Sequence, residues 1–486
     1  MFKATEKTIH KHSLYILMVF NSFSFWLIFP LIFGFYWLIP SKQKELKKWF
    51  LIIVSYLLYM NWKPAFALAL MFVTGVTYYG SHLISNANEQ KKNKQICTLT
   101  VLLGISLLVI FKYYNFINDN INALLNLLHI QVELPGLNYA IPVGISFFTF
   151  QAISYFLDVY FKKIEAEKSL SDYVLFVSFF PQVSSGPISK ASELLPQIKN
   201  PKPFNEIQAT DGLRYLLWGM FMKVAVADRL GIYVDTVYSN YLNYSGFTTF
   251  ISIIFYSFQI YADFAGYSLM ALGIAKLLGY DIINNFQQPY FAFSITNFWR
   301  RWHISLSRWL KDYIYIPLGG SRCSSKRSYF NIFITFLVSG IWHGASWNFI
   351  LWGVLHGFFQ IIEKALHLQK ETEKGFIIKT TRVLITFFLA TFAWIFFRMP
   401  TLNDAIGIIV HTAKDFTSFS MMTEQRTSIM LTLPILIAHD IYLEYFSGKQ
   451  YWWNNTITRW MLYITLFVII LIAGVLDSGQ FIYVSF

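Results

Sequence analysis

Two histidines stand in a chain otherwise poor in ionisable groups. His303 lies in Asn297-Phe-Trp-Arg-Arg-Trp-His-Ile-Ser-Leu-Ser307, and His343 in Ser339-Gly-Ile-Trp-His-Gly-Ala-Ser-Trp347. Imidazole titrates near neutral pH, which suits it to take a proton from a hydroxyl and hand it on. His343 falls in a stretch apolar enough to be membrane, where an ionisable group is costly and marks a functional site by default. Arginines interleaved with tryptophans around His303 are suited to hold phosphates through bidentate contacts. Asp263, in Tyr261-Ala-Asp-Phe-Ala-Gly-Tyr-Ser268, lies mid-span and requires a partner or water. Asp263, Tyr267 and His303 are candidates to orient a centre at His343, and the residues alone do not rank them. His356 reads as structural, and Asp158 as a solvated residue at the end of a span.

The elements that must position these groups follow from composition. The 486 residues are 55% hydrophobic, 19% aromatic and only 13% charged. A soluble domain carries about 25% charged residues, so this chain lacks the means to cover a water-facing surface. Apolar runs of about twenty residues recur throughout, each long enough to cross about 30 Å of hydrocarbon. They are continuous rather than alternating, which excludes a barrel and predicts helices. The expected spans are 23–39, 49–62, 65–84, 96–113, 140–161, 211–231, 248–279 (long, read as broken), 329–342, 347–366, 378–398, 427–446 and 458–477. Segment 173–189 is apolar but short and rich in Pro and Gly, so it reads as re-entrant. Trp299, Trp302, Trp309, Tyr313 and Tyr315 suggest amphipathic pieces at the membrane interface.

The formal charge of +13 reflects loop placement rather than nucleic-acid binding. Lysine clusters at 42–48, 91–94 and 162–168 all fall on one side if the first span runs inward. The same count puts the basic loop 298–328 in the cytoplasm. From residue 329 a helix then carries His343 about 20 Å into the bilayer. Cys97 and Cys323 are too few for a disulfide framework and lack metal-ligand spacing, so no metal site is expected. Residues 1–17 read as an N-terminal extension, and 18–486 as a single integral-membrane domain without tandem repeats. The regions 114–139 and 399–426 read as external loops.

Further motifs join the histidine segments: Phe111-Lys-Tyr-Tyr-Asn-Phe116, Pro142-Val-Gly-Ile-Ser-Phe-Phe-Thr-Phe-Gln151, Phe180-Pro-Gln with Gly186-Pro-Ile188, Lys223 with Ala227-Asp-Arg229, Asn285-Phe-Gln-Gln-Pro-Tyr290, Asp312-Tyr-Ile-Tyr-Ile-Pro-Leu-Gly-Gly320 and Trp394-Ile-Phe-Phe-Arg398. Over most of its length the chain resembles the membrane-bound O-acyltransferases (MBOAT), in their bacterial branch of alginate O-acetyltransferases and teichoic acid D-alanyl transferases. The resemblance implies an all-α polytopic fold of about 11–12 spans, with re-entrant segments around a central funnel. It also implies a catalytic role for His343, with His303 as the second characteristic histidine. The implied reaction moves an acyl group, expected to be acetyl, from a cytoplasmic thioester to hydroxyls of an extracytoplasmic cell-envelope polysaccharide. Acetyl-CoA or an acyl carrier protein would be the donor, with no bound cofactor. An extracytoplasmic esterase-like acetyltransferase is the implied partner, and the bacterial cytoplasmic (inner) membrane the implied location. Candidates to contact substrate or donor are Asp263, Tyr267, Arg300, Arg301, Trp302, Asp312 and Trp342.

A transporter for an envelope precursor is the competing reading, since intramembrane ionisable groups also mark permeation paths. It predicts inverted repeats and paired broken helices, and the sequence has no such internal symmetry.

Overall fold

The computed structural model describes residues 20–87, 89–370, 375–414, 418–421, 423–446 and 455–475. The reading of 1–17 as an extension concerns residues outside these. Among the described residues the secondary structure is helical, with no strand. The elements are α1 (Phe23–Leu38), α2 (Lys44–Met60), α3 (Phe66–Ser85), α4 (Gln90–Leu108), α5 (Tyr114–Leu127), α6 (Ile145–Tyr160), α7 (Leu170–Ser178), α8 (Phe180–Val183), α9 (Ala191–Lys199), α10 (Glu206–Met220), α11 (Asp228–Ser239), α12 (Gly246–Leu277), α13 (Ile295–Arg301), α14 (Ile304–Leu310), α15 (Ser325–His343), α16 (Trp347–Ala365), α17 (Phe376–Arg398), α18 (Leu402–Lys414), α19 (Thr423–Tyr445) and α20 (Thr456–Ala473). Five of these segments are long and apolar enough to cross a membrane unaided: Phe66–Ser85, Gln90–Leu127, Phe376–Arg398, Gln425–Tyr445 and Thr456–Ala473. The remaining expected spans are also helical. They are shorter or carry more polar groups, as helices shielded from lipid by protein can.

Three expectations are corrected. The run 248–279 is one unbroken helix, α12. Region 114–139 is not all loop, because a π-helical turn at Val109–Tyr113 carries α4 directly into α5. Within 399–426, residues Leu402–Lys414 form α18. Apolarity ends at these places, but hydrogen bonding does not.

The described residues fall into two compact units. One gathers the residues up to Leu213 with Ala271–Ile283. Here the re-entrant reading meets two short helices, α7 and α8, whose backbone is satisfied by protein side chains, as non-helical chain at membrane depth requires. Gln151 and Gln182 both donate to the carbonyl of Phe176, at 2.5 and 3.2 Å, and Ser55 Oγ accepts from the N–H of Phe180 at 3.1 Å. Gly144, at φ +71°, precedes α6 where a Cβ would lie 2.1 Å from the carbonyl oxygen of Val183. Asp158 is buried and ion-paired to Lys163 at 3.1 Å, not solvated.

The other unit comprises residues 214–270 and 284 onward and holds both histidine motifs. Its centre is the antiparallel pair α15 and α16. A Cβ on Gly340 would lie 2.3 Å from the carbonyl oxygen of Phe349, and one on Gly353 would lie 2.4 Å from that of Phe336. The two backbones therefore touch through glycines, the small-residue packing of membrane helices.

Candidate active site

His343 is the last residue of α15 and 3% exposed. Its ring meets Trp342, Trp352 and Phe397 edge to face, with centroids 4.9, 4.8 and 5.2 Å away. The chain turns at Gly344, where a Cβ would strike the Phe349 ring at 2.1 Å. Only glycine lets α16 start so close beneath the histidine.

His303 sits between α13 and α14 with φ 44° and ψ 55° and is fully buried. A non-glycine residue in the left-handed region is uncommon, and such strain gathers at functional sites. Asn285 holds this turn. Its carbonyl accepts from the N–H of Ile304 at 3.0 Å and its side-chain oxygen from that of Ser305 at 3.1 Å, while its amide donates to Ser268 Oγ at 3.1 Å. Burial pushes the His303 ring down to about 3, so it is neutral at working pH. It packs on Phe264 at 4.7 Å and on Trp342 at 5.9 Å. Trp342 thus touches both histidines, and the two motifs, forty residues apart, meet across one indole.

A third histidine belongs to the same aromatic cluster. His356 is buried against Trp352 at 4.9 Å, the ring that also meets His343. Its Nδ1 accepts from the indole N–H of Trp299 at 3.2 Å. Seven residues on, Glu363 turns its carboxylate onto the start of α13. It accepts from the N–H of Ile295 and, at 3.0 and 3.1 Å, from the N–H and hydroxyl of Thr296. Carboxylates are favoured at helix N-termini. Ser294 completes the cap by accepting from the N–H of Asn297 at 3.0 Å. Helix α16 therefore grips α13, which leads into His303, at two points of one face.

The other candidates separate. Asp263 accepts from Lys223 Nζ at 2.7 Å, and Asp228 accepts from the same ammonium at 2.7 Å, all three buried. Helices α10 and α12 approach closely here, since a Cβ on Gly219 would lie 2.7 Å from the carbonyl oxygen of Gly266. Tyr267, one turn beyond Asp263, is buried. Arg301 forms a bidentate ion pair with Glu444 at 2.6 and 3.1 Å, which neutralises the charge read as phosphate-binding. Arg300 is exposed in a cleft of about 440 Å³ lined also by Gln287, Gln288, Asn297, Arg301, Leu443 and Glu444. Trp302 is fully buried, stacked on Phe298 at 5.5 Å and against Trp394 at 4.9 Å. Trp299, Trp309 and Tyr313 are buried too, so most of the aromatic stripe read as interfacial is core. Asp312 is half-buried on a π-helical turn, Lys311–Tyr315. Asn285, Glu363 and Trp299 were missed as site-shaping residues. Asn285 and Trp299 carry a signal, their places in the Asn-Phe-Gln-Gln-Pro and Phe-Trp-Arg-Arg-Trp-His motifs, and Glu363 carries none.

A buried imidazole at a helix turn, with a second buried imidazole across Trp342, suits proton transfer away from bulk water. Comparison with known proteins gives that chemistry a family. The profile described as "MBOAT, membrane-bound O-acyltransferase family" matches residues 162–403. A "probable alginate O-acetylase" of Azotobacter vinelandii is 34% identical over 88% of this chain and 85% of the relative. Another, from Pseudomonas aeruginosa, is 36% identical over 90% of this chain and 82% of its own length. A "peptidoglycan O-acetyltransferase" of Helicobacter pylori is 34% identical over 76% and 74%. The chain belongs to the membrane-bound O-acyltransferase family and is a multi-pass membrane acyltransferase.

Proposed function

We propose that this protein transfers an acetyl group from a cytoplasmic thioester to a hydroxyl of an extracytoplasmic cell-envelope polysaccharide, with His343 as general base. The observation that carries this reading is Trp342, which packs against both His303 and His343 and so joins two motifs into one centre. His343 takes the hydroxyl proton while the oxygen attacks the thioester carbonyl. The C–O bond forms, the tetrahedral oxyanion collapses, the C–S bond breaks, and the thiolate leaves with the proton from the imidazolium. Such general-base help is worth about 10²–10⁴ in rate. A water-poor aromatic surround limits hydrolysis of the thioester. His303 shapes the far side of Trp342 as a neutral ring. Asp263 and Tyr267 act at a distance, through the packing of α12.

The donor is acetyl-CoA or an acetylated carrier protein, and Arg300 in its cleft supplies positive charge for its phosphate. The basic loop 298–328 faces the cytoplasm of a bacterial inner membrane, and an extracytoplasmic esterase-like acetyltransferase is the expected partner. The test is reconstitution of the purified protein with radiolabelled acetyl-CoA, acetylated carrier protein, and alginate or peptidoglycan fragments. Label on a glycan supports the reading. Uptake of glycan into vesicles without any acetyl donor would replace it with transport.

A further inference from the structure

Helix α5 and the chain that follows it are built inside out for a segment surrounded by water. Ile117, Ile121, Leu124 and Leu128 recur at spacings of four, three and four residues, an arc of about 60° on an α-helix. All four are exposed, and Leu127 beside them is 75% exposed. The polar side turns to the protein instead. Asn115, Asn118 and Asn122 stand about 120° round the helix from that stripe and hold the returning chain 134–137. Asn115 donates to the carbonyl of Leu137 and accepts from its N–H, both at 2.8 Å. Asn122 does the same for Leu134 at 3.0 and 2.9 Å, and Asn118 donates to that carbonyl at 3.0 Å. Tyr114 OH donates to the carbonyl of Pro135 at 3.1 Å. Water would satisfy such backbone groups unaided. Side-chain amides that copy a strand partner gain most where water is scarce.

The exposed apolar surface runs on from that of α4, and this continuity says what covers it. Leu99, Leu102, Leu103, Val109 and Ile110 are exposed on α4 and the π-helical turn, within a segment, Gln90–Leu127, apolar enough to cross a membrane. That segment is too long for one upright crossing. Its 38 residues rise about 57 Å, against about 30 Å of hydrocarbon. Lys91, Lys92 and Lys94 keep its first turn on the cytoplasmic side, so α5 lies at the outer boundary. The π-helical turn Val109–Tyr113 is a place where a helix can bend. Composition separates lipid from protein as the occupant. The stripe is wholly aliphatic and lacks the Trp, Tyr or Arg that anchor protein interfaces. Asp119, the one charged residue of α5, is exposed on the opposite side of the helix. Tyr139, exposed and with its ring 6.2 Å from that of Phe111, suits the aromatic belt at headgroup level.

We propose that α5 is an interfacial helix, bent away from α4 so that the stripe from Ile117 to Leu128 lies in the outer leaflet. Its partner is the lipid surface itself. The asparagine-bound chain 134–137 then travels with it, and the lipid contact fixes the depth of the segment that leads to Gly144 and α6. This reading is independent of the acyl-transfer chemistry and takes its direction from the loop charges.

Spin-label accessibility in liposomes of phosphatidylethanolamine and phosphatidylglycerol tests it. In a protein with Cys97 and Cys323 replaced, a nitroxide on Ile121→Cys should be relaxed more by oxygen, which partitions into lipid, than by a water-soluble nickel chelate. A nitroxide on Asp119→Cys should show the reverse order. Leu124→Cys should repeat the pattern of Ile121→Cys, and supplies the measurement should that variant fail to accumulate. Nickel relaxation at Ile121→Cys and Leu124→Cys equal to that at Asp119→Cys would place the stripe in water and overturn the proposal. Protection of both positions from oxygen and nickel alike would overturn it too, by showing protein, such as a second copy of this chain, over the stripe.

Discussion

The indole N–H of Trp299 donates to Nδ1 of His356 at 3.2 Å, and this contact sets the state of the imidazole. An indole nitrogen only donates, so Nδ1 must be an unprotonated acceptor, and the neutral ring carries its hydrogen on Nε2. The contact also ties α13 to α16 close to the turn that holds His303. Trp299→Phe keeps one aromatic ring but deletes the donor and part of the buried indole volume. It should lower stability by more than the roughly 1 kcal/mol of the hydrogen bond alone and reduce transfer further, because α13 is freed to shift. Thermal unfolding in detergent, read beside specific activity, checks both effects.

Glycine contacts order a second set of outcomes. Gly353→Ala puts a methyl 2.4 Å from the Phe336 carbonyl oxygen and must force α15 and α16 apart. At Gly357 the nearest atom to such a methyl is 3.4 Å away, an ordinary contact. Gly353→Ala should therefore abolish activity and cut the yield of folded protein, while Gly357→Ala keeps both within about twofold, since a methyl in open contact changes stability by well under 1 kcal/mol. Size-exclusion profiles and acetyl transfer distinguish them.

Lys223 is shared by Asp228 and Asp263, both within 2.7 Å. Lys223→Met removes the ammonium that the two buried carboxylates share. Removing one member of a buried ion pair costs about 3–5 kcal/mol. Lys223→Met should accordingly fail to accumulate. Asp263→Asn, which keeps one carboxylate for the ammonium, should accumulate at a lower melting temperature, as detergent thermal shift would record.

His303 gives a pH dependence with a definite sign. Its folded pKa is about 3, against about 6.5 for an unperturbed histidine. Between these values the unfolded chain binds a proton that the folded protein refuses, so stability falls as pH drops below about 6.5. The loss reaches about 2 kcal/mol at pH 5 relative to pH 8. His303→Gln should flatten that part of the melting-temperature profile between pH 5 and 8. An equally steep profile in the variant would show that the buried imidazole is not its source.

The helical membrane class and the positions of most helices were legible in the residues themselves, because apolar run length is a local signal, whereas the pairing of His303 with His343 was implied only by the family resemblance. Continuity was less visible. At Tyr114 and across 248–279 the hydropathy pattern changes, yet the backbone ladder continues, since hydrogen bonding is indifferent to which side chains it carries. Least visible were the supports. Glu363 looks like a span-end carboxylate, and only the fold brings it onto the start of α13, sixty-eight residues back in the chain. Arg301 looked ready for phosphate for a similar reason: Glu444, its partner, is 143 residues away.

Transfer of radiolabelled acetyl to glycan by reconstituted protein, compared between the native chain and His343→Ala, tests the central claim most directly. The replacement should reduce transfer by at least about 10²-fold, the usual worth of a general base, with the melting temperature and donor binding retained. Full transfer by folded His343→Ala would contradict it.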